Sequence, residues 1–191
     1  MKLKIEENEV KRLRLSIEFE SVSDRFEFLG YVIDLESGEI SDILTNNCQL
    51  ARAEFDVLQT LLTHYCKAEP VERTGILVKF ASLPGGQAYE RAFLKRAVEP
   101  IADAFGEKPE GLAECAKAFG GVSKAYGDVS VEIYALPNVP LTIILWETNE
   151  FPAQASILFD ESASHYLPTE DLAVLGELTT SRLLKTRLTF Y

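Results

Sequence analysis

Apolar and polar positions change period several times along the chain, and each change marks an element. Near the N-terminus Leu13, Leu15, Ile17 and Phe19 alternate with Arg14, Ser16 and Glu18, the two-residue period of a half-buried strand. The first ten residues fit either an extension of that strand or a short helix. A second apolar run, Phe26 to Leu35, contains Gly30 and ends at the turn residues Glu36-Ser37-Gly38-Glu39 before Ile40, which predicts a hairpin or meander. From Leu50 to Lys67 the apolar residues fall three and four apart (Leu50, Phe55, Leu58, Leu61, Leu62, Tyr65), predicting an amphipathic helix closed by Glu69-Pro70.

A short β-branched strand is predicted over Ile76–Phe80, followed by the turn Leu83-Pro84-Gly85-Gly86. Tyr89, Phe93, Ala97, Ile101 and Phe105 recur every four residues, so a helix runs from about Gln87 to Phe105, kinked or restarted at Pro100, with Gly106 as its C′ residue. Another helix spans Pro109 to Phe119 and ends at Gly120-Gly121. Three strands follow, Val129–Leu136, Leu141–Trp146 and Ala153–Phe159. The turns between them are short enough to require antiparallel neighbours, hence a meander. The consecutive apolar residues Ile143, Ile144 and Leu145 mark a central strand covered on both faces. The last helix starts near Thr169, read as N-cap, with an apolar side of Leu172, Leu175, Leu178, Leu183 and Leu188.

These elements give one α+β domain over residues 1–191: a mainly antiparallel sheet with the C-terminal meander as its core, packed against helices lying mainly on one face. The adjacent short-turn strands argue against a doubly wound parallel sheet.

Charge and cysteines narrow the functional classes. Nineteen Lys and Arg against 30 Asp and Glu leave a net charge of −11, and the one basic cluster, Lys11, Arg12 and Arg14, follows Glu6, Glu7 and Glu9. A phosphate backbone would find no basic stripe, so nucleic acid is excluded as the expected partner. No apolar run has the length of a membrane span, and the charged N-terminus has no secretory character, so the expected location is the cytoplasm. Cys48, Cys66 and Cys115 are far apart and form no CxxC. Three thiols fall short of the roughly four that a standard iron–sulfur cluster takes. No metal site is expected, and which cofactor, if any, the chain takes is left open by the sequence.

Candidate chemistry concentrates between Leu136 and Leu178. Trp146, the only tryptophan, ends the central strand beside Glu147, with Phe151 in the next turn. The ring reads as rim packing or as a stacking wall for a planar ligand. Asp160, His165 and Tyr166 form a polar cluster after the third strand. Asp160 reads as a turn cap, or it orients His165 as a general acid/base, a role for which Asp128 is the other candidate. Gly85 and Gly86 precede a helix and read as a tight turn or an anion-binding loop. His64 reads as a rim or core histidine. Strand order makes Asp128 and Glu147 near neighbours and puts Asp160 at the opposite end of the meander.

Gly127-Asp128, Leu136-Pro137, Val139-Pro140, Trp146-Glu147, Glu150-Phe151-Pro152, Leu158-Phe159-Asp160 and Tyr166-Leu167 together resemble the domain of unknown function 3786 family. So do Phe28-Leu29-Gly30, Phe80 to Gly86 with Tyr89 and Phe93, and Gly120-Gly121 upstream. The resemblance implies a protein of anaerobic bacteria or archaea. Some members are labelled iron–sulfur proteins because of an added cysteine-rich domain like that of the large corrinoid subunit of acetyl-CoA decarbonylase/synthase. This chain lacks those cysteines, so what carries over is a link to corrinoid or one-carbon metabolism.

Three functional expectations follow. The first is an accessory protein binding a small-molecule ligand in an apolar cleft of Trp146, Phe151 and Tyr166, with Asp128, Glu147, Asp160 and His165 as polar contacts. The second is an enzyme using His165 and a carboxylate. The third is an interaction module, such as a homodimer built on an edge strand. Convergence of Trp146, Asp160 and His165 on one pocket favours the first two, and their divergence favours the third.

Overall fold

The computed structural model describes residues 2–4, 6–16, 24–45 and 50–190. It comprises an N-terminal helix α1 (Glu7–Ser16), strands β1 (Arg25–Phe28), β2 (Tyr31–Asp34) and β3 (Ile40–Asp42), and helix α2 (Arg52–Tyr65). Then come β4 (Leu77–Lys79), α3 (Gly86–Phe93), a π-helical turn (Leu94–Val98), α4 (Glu99–Phe105) and α5 (Glu110–Lys117). The chain continues with β5 (Val122–Lys124), β6 (Val129–Leu136), β7 (Val139–Trp146), β8 (Gln154–Asp160), α6 (Ala163–Tyr166) and α7 (Thr169–Phe190).

Two antiparallel sheets result: a small meander β1-β2-β3 and a five-stranded sheet ordered β4-β8-β7-β6-β5. The fold is α+β, with β7 central and buried from Val139 to Leu145. Its side chains alternate between two faces. Val131, Ile133, Leu141, Ile143, Ile157 and Phe159 share the core face, where Phe93 of α3 lies 5.9 Å from Phe159 and stacks on Phe80 at 4.2 Å. Helices α4 and α5 pack on the same strands. The opposite face carries Ser130, Glu132, Tyr134 and Thr142, and Arg73 reaches across it.

Pro100 explains the break in the long second helix. It cannot donate to the carbonyl four residues back, and the wider π-turn just before it absorbs the mismatch. The Thr180 hydroxyl of α7 donates to the Ala97 carbonyl in that turn (2.7 Å).

Several expectations are corrected. Residues 13–16, expected as strand, belong to α1, where Leu13 is buried; Ile17 and Phe19 lie outside the described residues, as does Cys48. Gly106 does not take the left-handed C′ conformation (φ −62°); it is small because a Cβ there would sit 2.2 Å from the Ala153 Cβ. Thr169 is not the N-cap: the first bonds of α7 run to the Pro168 carbonyl, and the Thr169 hydroxyl donates to the Pro84 carbonyl (2.7 Å). α2 ends at Tyr65, before Glu69-Pro70. Leu188 is 82% exposed and adds nothing to the apolar side of α7.

Gly85 and Gly86 are glycines for different reasons. Gly85 adopts φ +76° in open space, whereas a Cβ on Gly86 would meet the Phe80 carbonyl oxygen at 2.0 Å. Gly85→Ala is therefore expected to cost about 1 kcal/mol and Gly86→Ala about 3 kcal/mol, a difference that parallel urea titrations will resolve.

Candidate functional site

The residues singled out between Asp128 and Tyr166 separate into two groups at opposite ends of the meander. At one end, β7 leaves the sheet at Trp146, paired with Gln154. Asp128 lies one residue before β6, and its Oδ2 accepts the Glu147 backbone N–H (2.9 Å) while its own N–H donates to the Leu145 carbonyl (3.0 Å). The expected Asp128–Glu147 proximity is therefore real, made through the backbone of Glu147. Gly127, at φ +56°, lies under the tryptophan: a Cβ there would come within 3.3 Å of the Trp146 ring and 2.7 Å of Ile144.

The loop after Trp146 is tied down by its own bonds. The Thr148 N–H donates to the Gly106 carbonyl at the end of α4 (2.9 Å), the Asn149 N–H to the Phe151 carbonyl (3.2 Å), and the Phe151 N–H to Asn149 Oδ1 (3.3 Å). Trp146, Glu147, Asn149, Phe151, Pro152 and Gln154 line a shallow recess of about 260 Å³. Trp146 is 41% and Phe151 69% exposed. Among the described residues, Asp128, Glu147 and Glu150 form no ion pair.

At the other end Asp160 closes β8, six residues and about 20 Å of strand from Gln154. It is fully buried and organises its surroundings: it accepts the Thr74 amide and hydroxyl (both 3.1 Å), the Gly75 amide (2.8 Å), and the Ser162 amide (3.0 Å) and hydroxyl (2.6 Å). Burial pushes its pKa up, but the bonds from Ser162, Thr74 and Gly75 outweigh burial and bring it down to about 2. Asp160 is thus the local cap, not the orienter of His165. His165 instead places Nε2 2.9 Å from the Glu69 carbonyl oxygen. Tyr166 is buried, stacks on Tyr65 and exchanges hydrogen bonds with the Val71 backbone (2.9 and 2.7 Å). It does not share a cleft with Trp146 and Phe151. Gly85 and Gly86 lie at the start of α3, tied to α7 through Thr169 and Pro84.

Three charged constellations escaped the sequence reading. Arg73 lies over β7, its Nη2 2.7 Å from Glu132 on β6 and its Nη1 2.5 Å from the Tyr134 hydroxyl, with Asp160 of β8 3.8 Å from Nε. Lys124 completes that group at 3.0 Å from Glu132. Burial alone would raise the Glu132 pKa, and the two cations together hold it below the ordinary range. His64, read as a rim or core histidine, bonds through Nδ1 to Asp171 in the first turn of α7 (2.5 Å), tying α2 to α7. Arg182 and Asp42 form a fully buried pair. The available signals were a lone Glu in an apolar strand and an arginine at the 175-179-182-186 spacing of a buried helix stripe.

The profile described as "Domain of unknown function (DUF3786)" matches residues 10–182. The chain belongs to this family. No curated protein matches the DUF3786 chain, and no solved structure does. No helix among its described residues is long and apolar enough to cross a membrane.

Proposed function

We propose that this chain is a docking protein whose Trp146–Phe151 corner receives a cationic segment of another protein. The observation behind this reading is the pairing of two exposed aromatic rings with three carboxylates, Asp128, Glu147 and Glu150, that have no cation partner among the described residues. Aromatic faces and uncompensated carboxylates together favour lysine and arginine side chains. Trp146 and Asp160 lie at opposite ends of the meander, and His165 is bonded to a backbone carbonyl instead of a carboxylate, so the acid/base reading has less to stand on. A second copy of the chain suits the corner poorly, since each copy carries a net charge of −11. The family resemblance supports seeking the partner among proteins of corrinoid and one-carbon metabolism.

Trp146 is the only tryptophan, so its fluorescence reports occupancy of the corner directly. Titration with a lysine- and arginine-rich dodecapeptide is expected to shift the emission saturably, and to do so less as salt rises. Phe151→Ala and the pair Glu147→Gln, Glu150→Gln are each expected to weaken that binding about tenfold. An unchanged spectrum, or binding equally strong in all three proteins, would sink the proposal.

A further inference from the structure

At the end of β7 remote from Trp146, the turns of the two sheets face one another across a cleft of about 610 Å³. That volume is in the range of small-molecule sites. The cleft's walls are fixed by backbone in an uncommon conformation. Leu29 (φ +47°) and Asn138 (φ +61°) are the only non-glycine residues with positive φ among the described residues, and both line it, with Gly30 (+77°) and Gly120 (+67°).

Each of these turns is held from behind. Leu29 and Gly30 form the two-residue turn between the paired Phe28 and Tyr31, a place where asparagine is the usual first residue and leucine is strained. The strain is offset by burial of the Leu29 side chain and by Arg182, whose Nε donates to the Leu29 carbonyl (2.7 Å). Arg182 Nη2 also lies so close under Gly30 that a Cβ there would be 2.8 Å away. Gly120 ends α5 in a Schellman arrangement, with Gly121 N–H on the Ala116 carbonyl (2.9 Å) and Gly120 N–H on the Lys117 carbonyl (3.1 Å). A site whose walls are already ordered spends little binding energy on ordering them.

The lining chemistry selects the ligand. Ile43 and Tyr134 are half-exposed, and Phe119 is partly so; together they offer apolar surface. Arg73 takes the Tyr134 hydroxyl and lies 5.3 Å from the ring centre, so the ring offers the cleft only the surface that the guanidinium leaves uncovered. No Lys or Arg lines the cleft, and its one charge is Glu27, exposed and without an ion pair among the described residues. Glu27 disfavours a phosphate or carboxylate beside it, and the nearest cation, Arg73 on the Tyr134 ring, is already engaged by Glu132. We propose that the cleft binds a small aromatic amine, its ring against Ile43, Phe119 and Tyr134 and its ammonium group toward Glu27. This site is separate from the docking corner.

The test is amide NMR of the isotope-labelled chain titrated with tryptamine, indole and indole-3-acetate. Tryptamine is expected to move the Gly30, Gly120 and Asn138 signals saturably, with affinity falling from tryptamine to indole to indole-3-acetate. Glu27→Gln, at an exposed position, is expected to weaken tryptamine about threefold and to leave indole unchanged, whereas Ile43→Ala weakens both. The proposal is overturned if the three compounds bind alike, if those signals stay still up to about 1 mM ligand, or if the shifts centre on Gly127, Trp146 and Asn149. The last result would place amine binding at the docking corner, so failure of one site is distinguishable from failure of the other.

Discussion

An Arg182→Ala chain is expected to lose about 3–5 kcal/mol of stability in urea unfolding, the largest effect of any single replacement considered. The guanidinium is completely buried and bonded at three positions: Nη1 and Nη2 grip the two oxygens of Asp42 (2.7 and 2.5 Å), and Nε donates to the Leu29 carbonyl. It also lies over the Tyr31 ring, 4.2 Å from its centre. Tyr31 in turn donates its hydroxyl to Glu54 on α2 (2.5 Å), and burial, then that bond, raise its pKa well above the phenol range. Removing Arg182 strands a buried carboxylate, a carbonyl and a strained turn together. Asp42→Ala should cost nearly as much, because it strands the guanidinium. The double replacement Arg182→Met, Asp42→Leu should lose less than either single change, since no buried charge is left unpaired. Single-variant losses below about 1 kcal/mol would mean that water reaches the pair.

That pair also marks the limit of what the sequence discloses. Strong periodicities translated into elements: the C-terminal meander, α2 and the break at Pro100 all follow from local chemistry. Elsewhere the pattern misled: the apolar run Phe26 to Leu35 is not one strand but turns at Leu29-Gly30, and residues 13–16, a two-residue alternation, lie within a helix. The pattern there was short, and a buried Leu13 is compatible with either period on sequence alone. Partnerships across the fold were less legible. Arg182 and Asp42 are 140 residues apart, and nothing local in either distinguishes a buried pair from a solvated charge. Glu132 and Arg73 hide in the same way, as do His64 and Asp171.

The candidate site divides along the same line. Asp128 and Glu147 could be placed together because strand order alone decides it, and Trp146 and Phe151 because one short turn joins them. Tyr166 and His165 could not be assigned, because their neighbours, Val71 and Glu69, come from the irregular segment between α2 and β4. The inter-sheet cleft drew no notice for a related reason. Its defining residues, Leu29, Gly120 and Asn138, are ordinary turn residues in three separate places, and only the packing of one sheet against the other turns them into walls.

Asp160→Asn is the second replacement expected to act strongly, and its effect should depend on pH. At neutral pH the carboxylate accepts five hydrogen bonds from Thr74, Gly75 and Ser162. The amide can keep those at one oxygen but turns donors toward the Gly75 N–H and Arg73, so about 3 kcal/mol should be lost. The native pKa is lowered from 3.8 to about 2, so the ionised form is favoured in the folded chain. The corresponding stabilisation, about 2 kcal/mol, is fully present above the unfolded pKa and disappears as pH falls through 3.8 toward 2. The asparagine variant does not titrate there. The stability difference between the two proteins should therefore be constant above about pH 5 and shrink by about 2 kcal/mol on acidification to pH 2. Urea unfolding of both chains across that range reads it directly. A difference that stays the same at every pH would show that Asp160 stabilises this junction by shape alone and that its charge contributes nothing.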